Sequence, residues 1–457
     1  MSQTAFLSIR PPGSGGGLAG LARPTMVFAA WLLHRSASRA IRIGRLDLEL
    51  PGGRCHHLGD GQGPPLRVRI THHNWMLRLA LNPAMAVGDA YVAGALQLEQ
   101  GGLEDLADLF GRNAETRRRR RPSALARVWR DLRSGHNARP ASRRNVAHHY
   151  DLPVEFYSRF LDPDLQYSCA FFADPEASLE AAQNAKIERL AAKLLLQPHH
   201  RVLDIGCGWG GLSLRLARDH GVHVRGATLS AEQAGVGKAR AAQYGLTDRL
   251  AIELVDYRDL DGVYDRIVSV GMFEHVGRSH FSAYFRKLAT LLKPDGVAVV
   301  HTIGRAEGPG TTQPWIARRI FPGGYIPALS EVVAAAETAG LIVTDVEVLR
   351  LHYAETLKAW RARFEASRPE TKSQYGERFC RAWEFYLAIS ESAFRRFGHT
   401  VFQIQLAHRV DASPIVRDYM SAPIDAPIAR PDMPDSPAVA FSAKRDRVSS
   451  LVAGDRE

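Results

Sequence analysis

The residues with the clearest chemical potential lie in Arg201-Val-Leu-Asp-Ile-Gly-Cys-Gly-Trp-Gly-Gly211. Val202, Leu203 and Ile205 read as a short buried strand, and Asp204 falls at its carboxyl end, where open α/β sheets bind ligands. Gly206, Gly208 and Gly211 allow a sharp turn and a close approach of backbone to ligand. No Lys-Ser/Thr pair follows them, so the loop is not a phosphate cradle. An acid beside such a turn suits an uncharged adenosine with an amino-acid tail, and S-adenosylmethionine fits better than ATP or NAD. A plain strand-turn-helix would carry the same glycines, so the surrounding elements must decide.

Those elements form a repeating pattern. Leu212, Leu214, Leu216 and Ala217 start a helix after the glycines. Val222 to Thr228 reads as a second strand, Leu250 to Leu254 as a third and Tyr264 to Val270 as a fourth. Lys293-Pro-Asp-Gly296 reads as a turn and Val297 to Thr302 as a fifth strand. Helical stretches separate most of them, which predicts a doubly wound α/β sheet, mostly parallel.

The chain has 457 residues, 45% of them apolar, room for two or three domains with a large core. Cys55, Cys169, Cys207 and Cys380 lie far apart with no Cys-x-x-Cys, so a disulfide framework or zinc site is not expected and a reducing compartment is. The first twenty residues hold no apolar run of the signal-peptide kind. Met26 to Leu33 is apolar but far short of the roughly 20 residues a membrane span needs. Residues 40 to 110 predict a small separate domain, with strands at Ile41 to Leu50 and Leu66 to Ile70 and helices at Trp75 to Leu81 and Leu103 to Phe110. The pairs His56-His57, His72-His73 and His148-His149 predict no metal, since neighbours on a strand point to opposite faces.

Residues 112 to 144 carry twelve arginines against Glu115 and Asp131, so nearly all of the formal net charge of +11 is concentrated there. Arg117 to Arg121 then Pro122 reads as a linker, and Leu125, Val128, Trp129 and Leu132 make an apolar stripe between arginines. Such a segment suits an anionic membrane surface. A solvated linker and a nucleic-acid contact are the competing readings.

From Asn145 onward the sequence resembles the cyclopropane fatty acid synthases. The resemblance is carried by Ala147-His-His-Tyr-Asp-Leu152, Gln166-Tyr-Ser-Cys-Ala170, the Val202 to Gly211 loop, Thr228-Leu-Ser-Ala-Glu-Gln233, Asp256-Tyr-Arg-Asp259, Ser269-Val-Gly-Met-Phe-Glu-His-Val-Gly277 and His301-Thr-Ile-Gly304. It spans roughly residues 40 to 410 and includes Gly88-Asp-Ala-Tyr-Val-Ala-Gly94. It implies a Rossmann-like class I methyltransferase sheet of seven strands with a helical insertion, beside a small α+β amino-terminal domain. It also implies an S-adenosylmethionine-dependent enzyme acting on unsaturated phospholipid acyl chains. No Asn-Pro-Pro-Tyr-type run follows strand four, against a nucleic-acid amino-methyltransferase.

The resemblance assigns roles. Asp204, Gly206, Gly208 and Gly211 build the cofactor loop, and Tyr167 and Ser168 form lid contacts on the methionine end. The usual acid at the end of strand two is missing, with Thr228, Ser230 and Gln233 as substitutes; Asp256 and Tyr257 meet the adenine. The family holds a bicarbonate ion as base, which implies Cys169, Glu274, His301, Ile303 and Tyr353 here, Cys169 and Ile303 by backbone. Phe273 and Tyr353 offer aromatic faces to a developing cation. Without the resemblance, Glu274 would be an ordinary helix-start carboxylate and His301 a strand-end histidine. Strands six (Leu341 to Val348) and seven (Phe402 to His408) are usually a close pair, yet some fifty residues separate them here. The insertion predicts two helices bearing Trp360, Phe364, Trp383, Phe385, Tyr386 and Phe394, the wall of an acyl-chain tunnel. Some relatives carry Cys in the second helix, where Ser390 stands here.

The expected organisation is an extension (1–39), a lipid-engaging domain (40–111), a basic linker (112–144), the catalytic domain (145–420) and a proline-rich disordered tail (421–457). The expected place is the cytoplasm, peripheral at the inner membrane face. The expected partners are unsaturated phospholipid and an anionic membrane, with no nucleic acid; a homodimer stays open. Cyclopropanation is the leading chemistry. Methyl transfer without ring closure comes second, an inactive lipid-binding protein third and a nucleic-acid methyltransferase last.

Overall fold

The computed structural model describes residues 22–118 and 152–420. The arginine segment beyond residue 118, the Leu125 to Leu132 stripe, the start of the Ala147 to Leu152 motif and the tail from residue 421 lie outside the described residues.

The described residues begin with α1 (Ala22–Ala40), where sequence reading left an unassigned extension. Its Ala29 and Leu33 are buried with Leu46, Val68, Trp75 and Leu106, so this helix is part of the small domain's core. β1 (Arg45–Glu49), β2 (Cys55–Leu58), β3 (Pro65–Ile70) and β4 (Leu96–Gln100) form a sheet in the order β2-β1-β3-β4. α2 (Asn74–Leu81), α3 (Pro83–Val92) and α4 (Leu103–Arg118) complete the domain. β1 is shorter than its alternating pattern because the Asn113 side chain accepts the Arg42 and Ile43 N–H groups, at 2.7 and 3.1 Å, and takes them out of the ladder.

After the short α5 (Val154–Tyr157) and α6 (Leu179–Lys193) comes the alternating pattern: β5 (Arg201–Ile205), α7 (Gly211–His220), β6 (His223–Thr228), α8 (Ala231–Gln243), β7 (Leu250–Leu254), β8 (Tyr264–Val270), α9 (Phe281–Leu291) and β9 (Leu292–Arg305). α10 (Pro314–Arg319), α11 (Leu329–Thr338), β10 (Ile342–Val348), α12 (His352–Ala366), α13 (Arg368–Tyr375), α14 (Glu377–Arg396) and β11 (His399–Ala407) follow. The seven-stranded sheet runs β10-β11-β9-β8-β5-β6-β7. β5 to β9 are parallel, and β11 is antiparallel to both β9 and β10. Strand order reverses beside β5, the point where such sheets bind ligands.

Two predicted boundaries move. Lys293-Pro-Asp-Gly296 is not a turn ahead of the fifth strand; it is an irregularity inside β9, where pairing steps from Tyr264 with Leu292 to Arg266 with Val297. The insertion is three helices, not two. Pro369 cannot extend α12 and instead sits in the first turn of α13, and Gly376, at φ +86°, separates α13 from α14.

The small domain is fastened both to α10 and to the insertion. Asp89 of α3 accepts from Trp315 Nε1 at 3.1 Å and pairs with Arg319 at 3.0 Å. Tyr91 donates to Glu384 at 2.9 Å, and Ser392 Oγ donates to the Ala107 carbonyl at 3.0 Å. Gly88 leaves α3 room against α14 and α10: a Cβ there would sit 2.6 Å from both Phe385 and Trp315.

Candidate active site

Two cavities meet at the carboxyl edge of the large sheet. The smaller, of about 140 Å³, is lined by the loop after β5, by Thr228 and Gln233, by Tyr257 and Arg258, and by Gln166 to Ser168. The loop is pinned at its start, where Gly206 and Cys207 N–H both donate to the Ala227 carbonyl at 2.9 and 3.0 Å. Gly206 has φ +84°, and a Cβ there would lie 2.7 Å from Met272 after β8, so only glycine lets the two loops close together. Gly211 likewise abuts the Asp164 carbonyl. Asp204 is buried and accepts from Ser213 Oγ at 2.6 Å; burial raises its pKa to about 6, against the Ser213 bond and the nearby Lys186 charge.

Beside the loop, Thr228 Oγ1 donates to Gln233 Oε1 at 2.7 Å, which fixes the amide at the cavity. Two of the expected residues lie off the cavity wall. Ser230 caps α8, accepting the Gln233 N–H at 3.3 Å, and does not line the cavity. Asp256 caps the turn at Tyr257–Asp259 and meets the Arg258 guanidinium at 2.6 Å, so Tyr257 and Arg258 reach the cavity wall in its place. The carboxylate is drawn to the adjacent cation because a buried charge needs a partner.

The larger cavity, of about 750 Å³, shares Tyr167, Ser168, Gly271 and His275 with the smaller. Cys169, Glu274, His301, Ile303 and Tyr353 all line it, so five residues from four separate stretches of chain converge there. Ile303 N–H donates to Glu274 Oε1 at 2.6 Å, while Oε2 has no hydrogen-bond partner among the described residues. Burial raises the Glu274 pKa to about 7, and the Ile303 amide and Thr302 hydroxyl pull it back. Gln403 Nε2 donates to His301 Nδ1 at 3.2 Å, which leaves the ring proton on Nε2. Burial, and then the Lys186 and Lys193 charges, hold His301 well below its ordinary value, so it is neutral. Cys169 is fully buried, burial pushes its thiol up, and Sγ donates to the Ala170 carbonyl at 3.2 Å, all of which suit a wall residue.

Phe273 is the third expected residue that lies off the cavity wall. It is fully buried between Phe281, Tyr284 and Phe285, with ring centroids 4.4 to 5.3 Å away, and lines neither cavity. Phe273, Glu274 and His275 form one turn of 3-10 helix with about three residues per turn, so Glu274 and His275 can face the cavity while Phe273 turns to the core. The insertion's aromatics divide similarly. Phe385, Tyr386 and Phe394 line the cavity. Trp360, Phe364 and Trp383 instead pack against Phe156 and Phe160 at 4.8 to 6.4 Å.

Sequence reading missed three features. His275 lines both cavities, with burial lowering its pKa to about 4. Lys186, fully buried on α6, donates to Gln166 Oε1 at 2.6 Å and Ser168 Oγ at 3.0 Å and so holds the segment between the cavities. Val87, Leu103, Leu106 and Phe110 bring the small domain into the wall of the larger cavity. A lone lysine in a helix gives no signal, but His275 lay inside the quoted Met272 to Gly277 run.

Residues 137–404 match the family described as mycolic acid cyclopropane synthetase. A "Probable fatty acid methyltransferase" of Pseudomonas putida is 36% identical over 383 residues, covering 82% of this chain and 92% of that one. The "Cyclopropane-fatty-acyl-phospholipid synthase" of Escherichia coli K12 is 42% identical over 263 residues, 58% of this chain and 67% of that one. Among solved structures, mycolic acid cyclopropane synthase CmaA1 complexed with SAH and CTAB aligns at TM-score 0.56 and 35% identity, over 58% of this chain and 97% of that one.

Proposed function

The chain belongs to the mycolic acid cyclopropane synthetase family of S-adenosylmethionine-dependent methyltransferases, and from that premise we propose that it converts cis double bonds of phospholipid acyl chains to cyclopropanes. The observation that carries the reading is the junction: Tyr167, Ser168, Gly271 and His275 line both cavities, and Glu274, His301 and Tyr353 line the larger one, whose wall is rich in apolar residues.

S-adenosylmethionine supplies an electrophilic methyl and bicarbonate a mild base when bound. The acyl double bond gives its π pair to the methyl carbon as the carbon–sulfur pair returns to sulfur. The acyl chain then carries a cation, and loss of one proton from the added methyl closes the ring. The residues make each step feasible. Asp204, Gly206, Gly208, Gly211, Thr228, Gln233 and Tyr257 would hold the adenosine and amino-acid parts, with Tyr167 and Ser168 over the methyl end. Tyr353 and Tyr386 offer aromatic faces worth roughly 0.5–2 kcal/mol each to a cation. Cys169, Phe385 and Phe394 keep water out.

The unpartnered Glu274 Oε2 suits an oxyacid that donates its own O–H, and neutral His301, protonated on Nε2, can donate in return. That pairing fits bicarbonate, which a carboxylate with no such donor beside it would repel. Under this reading residues 145–420 are catalytic, and the small domain, lengthened by α1, engages lipid at the cytoplasmic face of an anionic membrane.

The test is mass spectrometry of unsaturated phosphatidylglycerol vesicles incubated with purified protein and S-adenosylmethionine. A gain of one CH2 with loss of the alkene, assigned as a ring by NMR, supports the proposal. A gain of CH2 with an alkene retained would replace ring closure by methyl branching. No lipid product despite cofactor binding would remove the substrate assignment.

A further inference from the structure

The face of the small domain away from its core is unusually apolar. On α1, Val27, Phe28 and Trp31 are 67%, 57% and 51% exposed, at i, i+1 and i+4 of one helix side. The Phe28 and Trp31 rings stack at 5.9 Å, and the Arg35 guanidinium sits 5.4 Å over Trp31. On α2, Leu77 and Leu81 are 43% and 69% exposed. The two helices pack together, Ser36 Oγ donating to the Ala80 carbonyl at 3.2 Å. Exposed large apolar side chains on neighbouring helices mark an interaction surface rather than ordinary solvent-facing positions.

Charge says what covers it. No Asp or Glu occurs from residue 22 to 46 or from 71 to 88. Arg35, Arg39, Arg42, Arg45 and Arg78 in these stretches are all exposed. An apolar stripe with an aromatic pair, flanked only by cations, matches the boundary between anionic headgroups and acyl chains. No described helix is long and apolar enough to cross a membrane, so the contact is a shallow one.

The same face adjoins the large cavity. Ala40, the last residue of α1, lines that cavity, as do Pro83 and Ala84, which follow Leu81 by two and three residues. Pro83 and Ala84 are also exposed, so the cavity reaches the surface beside Leu81.

We propose that α1 and α2 form a docking face for a lipid bilayer with anionic headgroups, set so that an acyl chain passes from the bilayer past Leu81 and Pro83 into the cavity. The proposal rests on the acyl-lipid reading above. It assigns the entry route and its partner surface.

The experiment compares the full chain with Phe28→Ser/Trp31→Ser. Co-sedimentation is measured with vesicles of phosphatidylglycerol and phosphatidylcholine. Methyl transfer is measured on the same lipid, in vesicles and dispersed in non-ionic detergent. We expect at least about a tenfold loss of vesicle binding and of vesicle activity, with detergent-dispersed activity and cofactor affinity unchanged. Unchanged vesicle binding overturns the proposal. So does a fall in sedimentation coefficient of the lipid-free variant, which would assign the face to a second copy of the chain. Lost vesicle binding by the variant, with no methyl transfer by the unaltered chain in either form, would uphold the face while removing the enzymatic reading. Should the double variant not fold, Leu77→Ser alone, with circular dichroism as a check, puts the same question.

Discussion

Glu274 decides most at the level of single residues. Glu274→Gln keeps the shape and an Ile303 acceptor but loses the charge. Turnover should fall at least about 100-fold while S-adenosylmethionine affinity stays within about threefold, read by product formation and calorimetry. Equal loss of both would remove Glu274 from the base site. The proposed role needs the ionised carboxylate, so kcat should rise through about pH 7 and then level. Stability runs the other way. The folded pKa of about 7 exceeds the ordinary 4.5, so the folded state holds the proton more tightly than the unfolded chain. This contribution is intact below pH 4.5, is lost as pH rises to about 7, and stays lost above it. Glu274→Gln should therefore gain on the order of 2–3 kcal/mol over the unaltered protein at pH 8 and almost nothing at pH 4.5, seen by thermal melts at both.

The elements show why some side chains act and others pack. A loop that turns residue by residue places Glu274 at a cavity and Phe273 in the core. A helix with aromatics on two sides lines the larger cavity with Phe385 and Phe394 and packs into the core with Trp383. The resemblance named Glu274 and Phe273 and the aromatic content of the insertion named the others, but neither could assign their faces. α3 meets α14 and α10 across a gap only glycine fits. Gly88→Val should destabilise the fold by about 1–3 kcal/mol, because Trp315 and Phe385 are fixed by their own packing and cannot retreat. A thermal melt checks it, and an unchanged melting temperature would show that α3 shifts freely.

For the whole molecule, the small domain and the sheet domain together wall one cavity, and nearly all of the net charge of +11 lies in the arginine-rich stretch of residues 112–144. Replacing Arg117 to Arg121 with serine should weaken binding to anionic vesicles at least about tenfold at low salt, with the difference vanishing near 0.5 M salt. Equal binding at low salt would leave the run as a spacer. Loss of binding through Phe28 and Trp31 should persist at high salt, since apolar insertion is not screened, so the two contributions separate.

The sequence by itself determined the sheet and its glycine loop, because these depend on short-range patterns: strand length, turn chemistry and motifs of a few residues. Only the tertiary structure decided that Asp256 turns to Arg258, that Ser230 caps a helix, that Lys186 supports the segment between the cavities and that α1 belongs to the small domain. It alone decided that the small domain closes the large cavity. Asp256 and Ser230 take a neighbour two and three residues away instead of the cavity, while Lys186, α1 and the cavity wall meet groups far off in the chain. Burial and the cost of leaving a buried charge or polar group unpaired decide each, and the sequence pattern does not record the outcome.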